Sequence, residues 1–538
     1  MSESELTEDV FEEAADVVVV GSGAAGCTAA LAAAHRGGRV LVLERADAVG
    51  GTTSLSSGEI WIPNNSLMRA KGVDDPRDGA LRYLAKLAYP VLYDADDPTL
   101  GLPADLFALL EACYDEGPKA IDELLALDAI DVVADLEFPD YHDDIPENLR
   151  PYGRRLTARA ASRPELGGVE LIARMSAAAE REGARFLLGH RVVGLLRGAA
   201  GEVVGVEART GRRTVLVRAH RAVVFASGGF LHDPDLRRQY LRGPVFGGCG
   251  ATTATGDFVR IGIEAGAQLG NMGQAWWYQV ALEQVVQTGQ TAGGLFMPFG
   301  DSMIQVNRHG RRVTNEKAPY NERGPVHFAW DGREYCNLVL FAVYDDAVAR
   351  NPDDTLLRYP TPMPGEAARY VISGDTFEEL ALAVDERLEE LRHHTGGLRL
   401  SPRFAANLRR TVDRFNEFAR TGVDEDFGRR DTPLTALWGG RMQEGVNNTM
   451  HPFSPDGPYH CILLVAGALD TRGGPRTNPR AQVLDTHDEP IPGLYGAGNC
   501  IASPAGEAYW GSGGTIGPAV TFGWIAGVNA VEEPEKVL

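Results

Sequence analysis

Short apolar runs punctuated by glycine mark both ends of the chain. Val17–Val20 and Val40–Leu43 are unbroken and branched, the pattern of strands buried on both faces of a parallel sheet. Between them an Ala-rich stretch, Ala24 to Arg36, has helical character and is closed by Gly37–Gly38. Residues 185–230 break into RFLLGHRVVGLLRGAAGEVVGVEA, RTVLVRA and AVVFASGGF, which predict a β-meander followed by a strand at Ala222–Ala226. T-G-D at Thr255–Asp257 precedes a predicted helix, Phe258–Ala265. Near the end, IPGLYGAGNC (491–500) predicts a short strand and a tight turn, and GSGGTIGPAVTFGWIAG (511–527) predicts an apolar helix from Ile516 to Ala526. From about 285 to 445 the pattern changes to Pro-rich loops, helical stretches at 378–393 and 402–419, and many aromatics. No internal repeat is evident.

Strand, turn, helix, strand and acid follow one another at the N-terminus in a defined order. Gly21, Gly23 and Gly26 form G-x-G-x-x-G directly after the first strand, and Glu44 closes the second strand 18 residues after Gly26. This is the full context of a dinucleotide site: glycines permit the turn and a close backbone approach, and the N–H groups of the helix start, with Ala24 and Ala25, face a pyrophosphate. Glu44 is placed to accept hydrogen bonds from a ribose diol, with Arg45 beside it. The pair Gly50–Gly51 with Thr52, Thr53 and Ser54 makes a second cradle soon after, continued by Ser57 and Gly58. A plain nicotinamide dehydrogenase has no need of it, whereas a long, permanently bound FAD does. The turn Ala226–Ser227–Gly228, Val193 in the meander, Asp257, and the turn Gly498–Asn499 complete the set expected to touch FAD. Gly514, Thr515 and Ile516 open the last helix, whose N-terminus would stabilise negative charge on a reduced flavin. The fold class expected is α/β: a discontinuous Rossmann-like FAD-binding domain (1–284 and 446–538) with an inserted α+β substrate-capping domain (285–445).

Composition narrows the partners. The charge sum of 52 basic against 74 acidic residues gives −22, which repels phosphate backbones and excludes nucleic acid as the expected partner. Gly is abundant, 63 of 538 residues, in keeping with many tight turns. Six cysteines stand scattered without a CxxC pair, so neither a metal centre nor a disulfide framework is expected. The acidic opening MSESELTEDVFEEAAD predicts no secretory or transit segment, and no apolar run reaches the ~18 residues of a membrane span. A reducing, cytoplasmic setting is expected, with peripheral membrane contact left open.

Four segments resemble the FAD-dependent family that includes soluble fumarate reductases and 3-ketosteroid dehydrogenases, the closer likeness being to the 3-ketosteroid Δ1-dehydrogenase branch. They are GGTTSLSSGEIWIPNN (50–65), NRHGRRVTNEKAPY (307–320), LDTRGGPRTNPRAQVLD (469–485) and AYWGSGGTIGPAVTFG (508–523). The resemblance implies a non-covalent FAD and dehydrogenation beside a ring ketone. A hydrogen-bond pair polarises the carbonyl, a tyrosine removes the α-proton, and hydride leaves the adjacent carbon for flavin N5. It implies Tyr509 and the Gly513 N–H as the polarising pair, Tyr320 as the base, and Tyr141 as its assistant, with Tyr152 as the alternative for that last role. The substrate implied is a steroid or a smaller cyclic ketone, and the electron acceptor an unidentified quinone or carrier. Trp510 and Ser512 stand where the branch usually carries proline, and residues 89–103 match nothing in it. Two other readings remain: a fumarate or enoate reductase using Arg311, Arg312, Arg472 or Arg476 as proton donor, and a flavin-binding protein without turnover.

Overall fold

The computed structural model describes residues 7–159, 167–291, 293–354, 357–438 and 446–538. It divides into two compact units. The first comprises Met1–Tyr240, Gly250–Ala275 and Asp470–Leu538, and the second Leu241–Cys249 and Trp276–Leu469. The second unit is wider than the span 285–445 expected from the sequence, whose end at 445 lies outside the described residues. The added residues include Leu241–Cys249 and most of two strands, Ala275–Ala281 and Tyr459–Thr471, which pair with each other in the unit's sheet.

An eight-stranded sheet organises the first unit. Strand Glu13–Val20 lies at its centre, parallel to Val40–Leu43 on one side (Val17 opposite Val40) and to Arg213–Phe225 on the other (Val17 opposite Ala222). Strand Pro490–Gly496 returns from the C-terminal part of the chain and pairs parallel with Arg213–Phe225, Leu494 opposite Val223. The meander is corrected in two details. Arg185–Leu187 runs parallel beside Val40–Leu43 instead of joining the hairpins, and RTVLVRA and AVVF form one continuous strand, Arg213–Phe225. A register shift between Ala15 and Val17 lets that 13-residue strand serve both the meander and the parallel sheet.

The Ala-rich helix, Ala24–His35, is buried from Ala24 to Ala34. Small side chains let the C-terminal helix, Ile516–Glu532, approach it closely: a Cβ on Gly523 would lie 2.5 Å from the Ala25 carbonyl oxygen, and one on Gly527 2.4 Å from that of Ala29. That helix runs six residues past the Ala526 end expected for it. Helices Arg77–Ala88, Ala104–Ala126 and Gly167–Arg181 fill a stretch for which the pattern gave no element. A small antiparallel sheet joins Ile60–Trp61, Arg155–Ala158 and Val132–Ala134.

The second unit is a five-stranded sheet built around Tyr459–Thr471 and Leu340–Asp345. Helices Phe377–Glu390 and Phe404–Thr421 occupy the two helical stretches expected there, and bury Phe377, Leu380, Val384, Leu388, Leu408 and Phe415. Among the described residues no helix is long and apolar enough to cross a membrane.

Candidate active site

The three glycines of the first turn do different work. A Cβ on Gly21, whose φ is +103°, would sit 2.4 Å from the Ala226 carbonyl oxygen, and one on Gly26 would sit 2.0 Å from that of Gly21. Both are demanded by the protein's own packing of strand, turn and helix. Gly23 is different. Its φ is −71°, and a Cβ there would meet only Thr53 Oγ1 at 3.5 Å and the Gly50 oxygen at 3.7 Å. Nothing in the chain requires glycine at 23, so the bare backbone over the helix N-terminus is a cradle that fits a pyrophosphate. Ala24 N–H donates to Thr53 Oγ1 at 3.2 Å, which joins the first cradle to the second. Gly50 (φ +128°) and Gly51 (φ +51°) turn the chain into a short 3-10 segment, Gly51–Leu55, closed by Ser54 Oγ on the Gly51 oxygen at 2.9 Å.

Glu44 is buried and already accepts three donors: Ser22 N–H (3.1 Å), Ser22 Oγ–H (2.7 Å) and Ala46 N–H (2.8 Å). A carboxylate offers about four acceptor positions, so one remains for a ribose hydroxyl. Ser22 also accepts from Gly50 N–H at 3.1 Å, which makes it the link between acid and second cradle. Ser22 occupies a variable position of the glycine pattern, so the motif carries no signal for it. Arg45 reaches the Thr253 oxygen (2.9 Å), Thr255 Oγ1 (2.6 Å) and Asp257 (3.3 Å), and Asp257 also holds Arg191 through two bonds of 2.9 and 2.6 Å. Thr52 Oγ1 accepts from Ala251 N–H at 3.1 Å. Val193 sits at the register shift between Val192 and Gly194, where a bulge turns backbone groups out of the ladder. Gly58 (φ +73°) faces the Gly167 backbone, where a Cβ would fall 2.4 Å from its carbonyl carbon, just past Ser57, whose oxygen abuts the same residue.

A buried acid absent from the sequence reading ties two of the expected turns together. Asp470 accepts from Gly229 N–H (3.0 Å), Thr471 N–H (2.8 Å) and Asn499 Nδ2–H (3.2 Å). Thr471 Oγ1 takes Phe230 N–H at 2.8 Å. The pair therefore clamps Gly229 and Phe230, directly after the Ala226–Ser227–Gly228 turn, to Asn499 of the Gly498–Asn499 turn. Burial raises the Asp470 carboxyl to about 6, against the pull of those donors. Its one visible signal was the acid-threonine pair within LDTRGGP.

Tyr509 and Tyr141 meet as a stacked pair, ring centroids 5.3 Å apart and planes 15° off parallel, both buried. The ring against Tyr509 is that of Tyr141. Arg472 donates to the carbonyl oxygens of Glu507 (2.9 Å) and Ala508, fixing the approach to Tyr509. Trp510 stacks on Trp61 at 5.4 Å, and its indole N–H donates to the Leu84 oxygen at 3.3 Å. Beneath them Asp140 accepts from Trp61 Nε1 (2.7 Å) and Arg154 Nη1 (2.8 Å), while Arg154 also holds Asp75. Burial raises the Asp140 carboxyl to about 6. Gly513 has φ +90°, and its oxygen accepts from Trp61 N–H (3.2 Å) and Gly517 N–H (2.9 Å). Gly514 donates its N–H to the Gly511 oxygen at 2.9 Å. Thr515 caps the helix, whose first amides, beginning with Ile516, have no intrahelical partner.

Tyr320 belongs to the second unit. Pro319 sets it at the first position of the short helix Tyr320–Arg323, where it is buried edge-on against Phe296 at 5.1 Å. The preceding NEK residues are its foundations. Glu316 pairs with Arg312 (2.8 Å) and Arg429 (3.3 Å), and Lys317 donates to the Pro298 and Gly300 oxygens at 2.7 and 2.9 Å. Burial lowers the Lys317 ammonium to about 8. Arg323 grips the Leu295 and Phe296 oxygens at 2.7 and 2.6 Å, and burial lowers it to about 9. Of the arginines considered as proton donors, Arg312 is held by Glu316 and Asp424, Arg476 by Asp105 and Asp488, Arg472 by the Glu507 and Ala508 carbonyl oxygens, and Arg311 is exposed.

A bare-glycine cradle at a helix N-terminus, a buried acid at the end of the second strand and a C-terminal strand returning to the same sheet fit an FAD-dependent oxidoreductase. A profile described as FAD binding domain matches residues 16–516. The chain belongs to that family, and its cofactor is FAD, held non-covalently. It is 31% identical to the 4-oxocyclohexanecarboxylate 2-dehydrogenase of Sinomonas cyclohexanicum, over 95% of this chain and 92% of that one. It is 30% identical to the 3-oxosteroid 1-dehydrogenase of Mycobacterium tuberculosis, over 97% and 99%. Among solved structures it is similar to the 3-ketosteroid Δ1-dehydrogenase of Sterolibacterium denitrificans in complex with 1,4-androstadiene-3,17-dione, with a TM-score of 0.78, 26% identity, and coverage of 97% and 100%.

Proposed function

We propose that the protein dehydrogenates the carbon–carbon bond next to the carbonyl of a cyclic ketone. The observation that carries this reading is the buried Tyr141–Tyr509 stack beside a loop whose Gly513 holds a positive φ. FAD, when bound, supplies the two-electron acceptor for the hydride. The chain's own groups handle the carbonyl and the proton. Tyr509 O–H and Gly513 N–H donate to the carbonyl oxygen and stabilise the charge that grows there as the α-proton leaves. Removing one such donor costs about 2.7–4 kcal/mol of transition-state stabilisation in comparable sites. Tyr320 accepts the α-proton with Tyr141 as its assistant, and the stack of Tyr141 on Tyr509 supports the Tyr509 ring. Gly23 and the acid Glu44 hold the cofactor side, on a turn that Gly21, Gly26 and the Asp470 clamp keep in shape.

The ring ketone is favoured over an alkene to be reduced because Arg312 and Arg476 are committed to carboxylates, Arg472 is held on the Glu507 and Ala508 carbonyl oxygens, and Arg311 lies in solvent. Relatives acting on a 4-oxocyclohexanecarboxylate and on 3-oxosteroids bracket the substrate between a single ring and a fused one. A quinone or small carrier in the cytoplasm takes the electrons onward. The test is anaerobic mixing of the yellow protein with 4-oxocyclohexanecarboxylate and with a 3-oxosteroid. One of them bleaches the flavin band and yields the conjugated enone. No bleaching by either, together with reoxidation of chemically reduced protein by fumarate, overturns the reading.

A further inference from the structure

Three of the five residues from Trp510 to Gly514 are glycine, at 511, 513 and 514. A run of that composition has no intrinsic preference for one conformation and loses much entropy when ordered. One short segment, Glu59–Trp61, holds it from outside. The Trp61 ring stacks on Trp510 with planes 29° apart, and Trp61 N–H donates to the Gly513 oxygen at 3.2 Å. Ser512 Oγ–H donates to Glu59, whose other oxygen accepts from Arg155, itself also paired with Asp135. The glycines lie flush against this segment. A Cβ on Gly511 would be 2.7 Å from Trp61 Cδ1, and one on Gly513 2.7 Å from the Glu59 carbonyl carbon. The Glu59 side chain is 15% exposed and Ser512 is 8% exposed, so their bond is shielded from competing water.

The Gly513 N–H belongs to the peptide unit between Ser512 and Gly513. Its direction is fixed only if both neighbouring residues are fixed. Trp61 N–H secures the Gly513 side, and the Ser512 hydroxyl is the handle on the other. We propose that Glu59 is a positioning residue that aims the Gly513 N–H by anchoring Ser512. This rests on the ring-ketone reading, in which that N–H meets the substrate oxygen. A carboxylate acceptor strengthens the anchor relative to a neutral one, and Arg155 holds it in place. No reaction step passes through Glu59 itself.

Ser512→Ala removes one hydroxyl and leaves the loop otherwise intact. Glu59→Ala removes the acceptor, and Glu59→Gln keeps an acceptor oxygen without charge. Flavin reduction by the turned-over ketone gives kcat and KM. Phenol, a planar ring bearing an oxygen in the enolate position, is titrated by its effect on the flavin spectrum without turnover. Ser512→Ala and Glu59→Ala each lower kcat roughly ten- to a hundredfold with KM little changed, and weaken phenol by a similar factor. The double variant is no worse than the poorer single one, because both act through one bond. Glu59→Gln recovers most of the rate. FAD content and unfolding of Ser512→Ala match the parent. Wild-type kcat and phenol affinity in Ser512→Ala, or fully additive losses in the double variant, overturn the proposal. If no ring ketone bleaches the parent protein, the ring-ketone reading falls, and the phenol titration of Ser512→Ala still decides for or against Glu59.

Discussion

Alanine at Gly23 separates the glycine that serves FAD from those that serve the fold. Its φ of −71° is ordinary for alanine, and the nearest protein atoms to the new methyl would be 3.5 and 3.7 Å away, which is van der Waals contact. The cost to the apoprotein is therefore only that of a poorer helix cap, about 1 kcal/mol. The methyl instead takes the space over the first helical amides. Displacing a phosphate from one of them forfeits a charge-assisted hydrogen bond worth about 1.5–3 kcal/mol, or ten- to a hundredfold in FAD affinity. Alanine at Gly21 or Gly26 meets a backbone oxygen at 2.4 or 2.0 Å, and at Gly21 also a φ of +103°. Those variants lose roughly 1–3 kcal/mol or more of stability before any cofactor is added. Urea unfolding of the three apoproteins, followed by FAD titration monitored by flavin fluorescence, reads both quantities. A Gly23→Ala protein that binds FAD like its parent, or a Gly21→Ala apoprotein as stable as Gly23→Ala, refutes the division of labour.

Glu44→Ala loses FAD affinity by roughly ten- to a hundredfold and, because Ser22 and Ala46 donors are orphaned, also lowers apoprotein stability; unchanged FAD affinity contradicts the ribose role. His327 is buried with Nδ1–H donating to the Asn337 oxygen and Nε2 accepting from Gln279, and burial lowers it from 6.5 to about 4. A depressed base contributes stability that is present above its unfolded value and lost as pH falls toward the folded one. Between neutral pH and about pH 5 this costs about 2 kcal/mol, and His327→Gln shrinks the acid-side loss by that amount; an identical pH slope in parent and variant contradicts it. Acid precipitation releases a yellow supernatant, and colour retained in the pellet contradicts non-covalent attachment.

The cofactor end of the fold was legible because local rules suffice there. Val17–Val20, the glycine turn, the Ala-rich helix and Glu44 lie within thirty residues, and each element's pattern agrees with its neighbours'. Arg185–Leu187 was misplaced because three residues carry no period, and its pairing with Val40–Leu43 is decided about 145 positions away. Asp470 and Glu59 were missed for the same reason: their partners lie 241 and 453 positions distant. A single acid, whether near a strand end as Asp470 is or in a loop as Glu59 is, gives no sign of such a partner. Trp510 was legible only as a departure, and its stack on Trp61 gives it a role as an anchor. The stack of Tyr141 on Tyr509 is a ring contact that no spacing encodes.

The central claim is that tyrosine oxygens carry the ketone chemistry. Stopped-flow bleaching of the flavin by the turned-over ketone, in the parent and in Tyr509→Phe and Tyr320→Phe, tests it most directly. Each variant removes one oxygen and leaves packing volume nearly unchanged, so both fold and hold FAD. The account predicts that each slows flavin reduction on the order of a hundredfold or more, and that only Tyr320→Phe loses the parent's pH dependence. Parental bleaching rates in Tyr320→Phe, with its FAD content intact, would contradict the account.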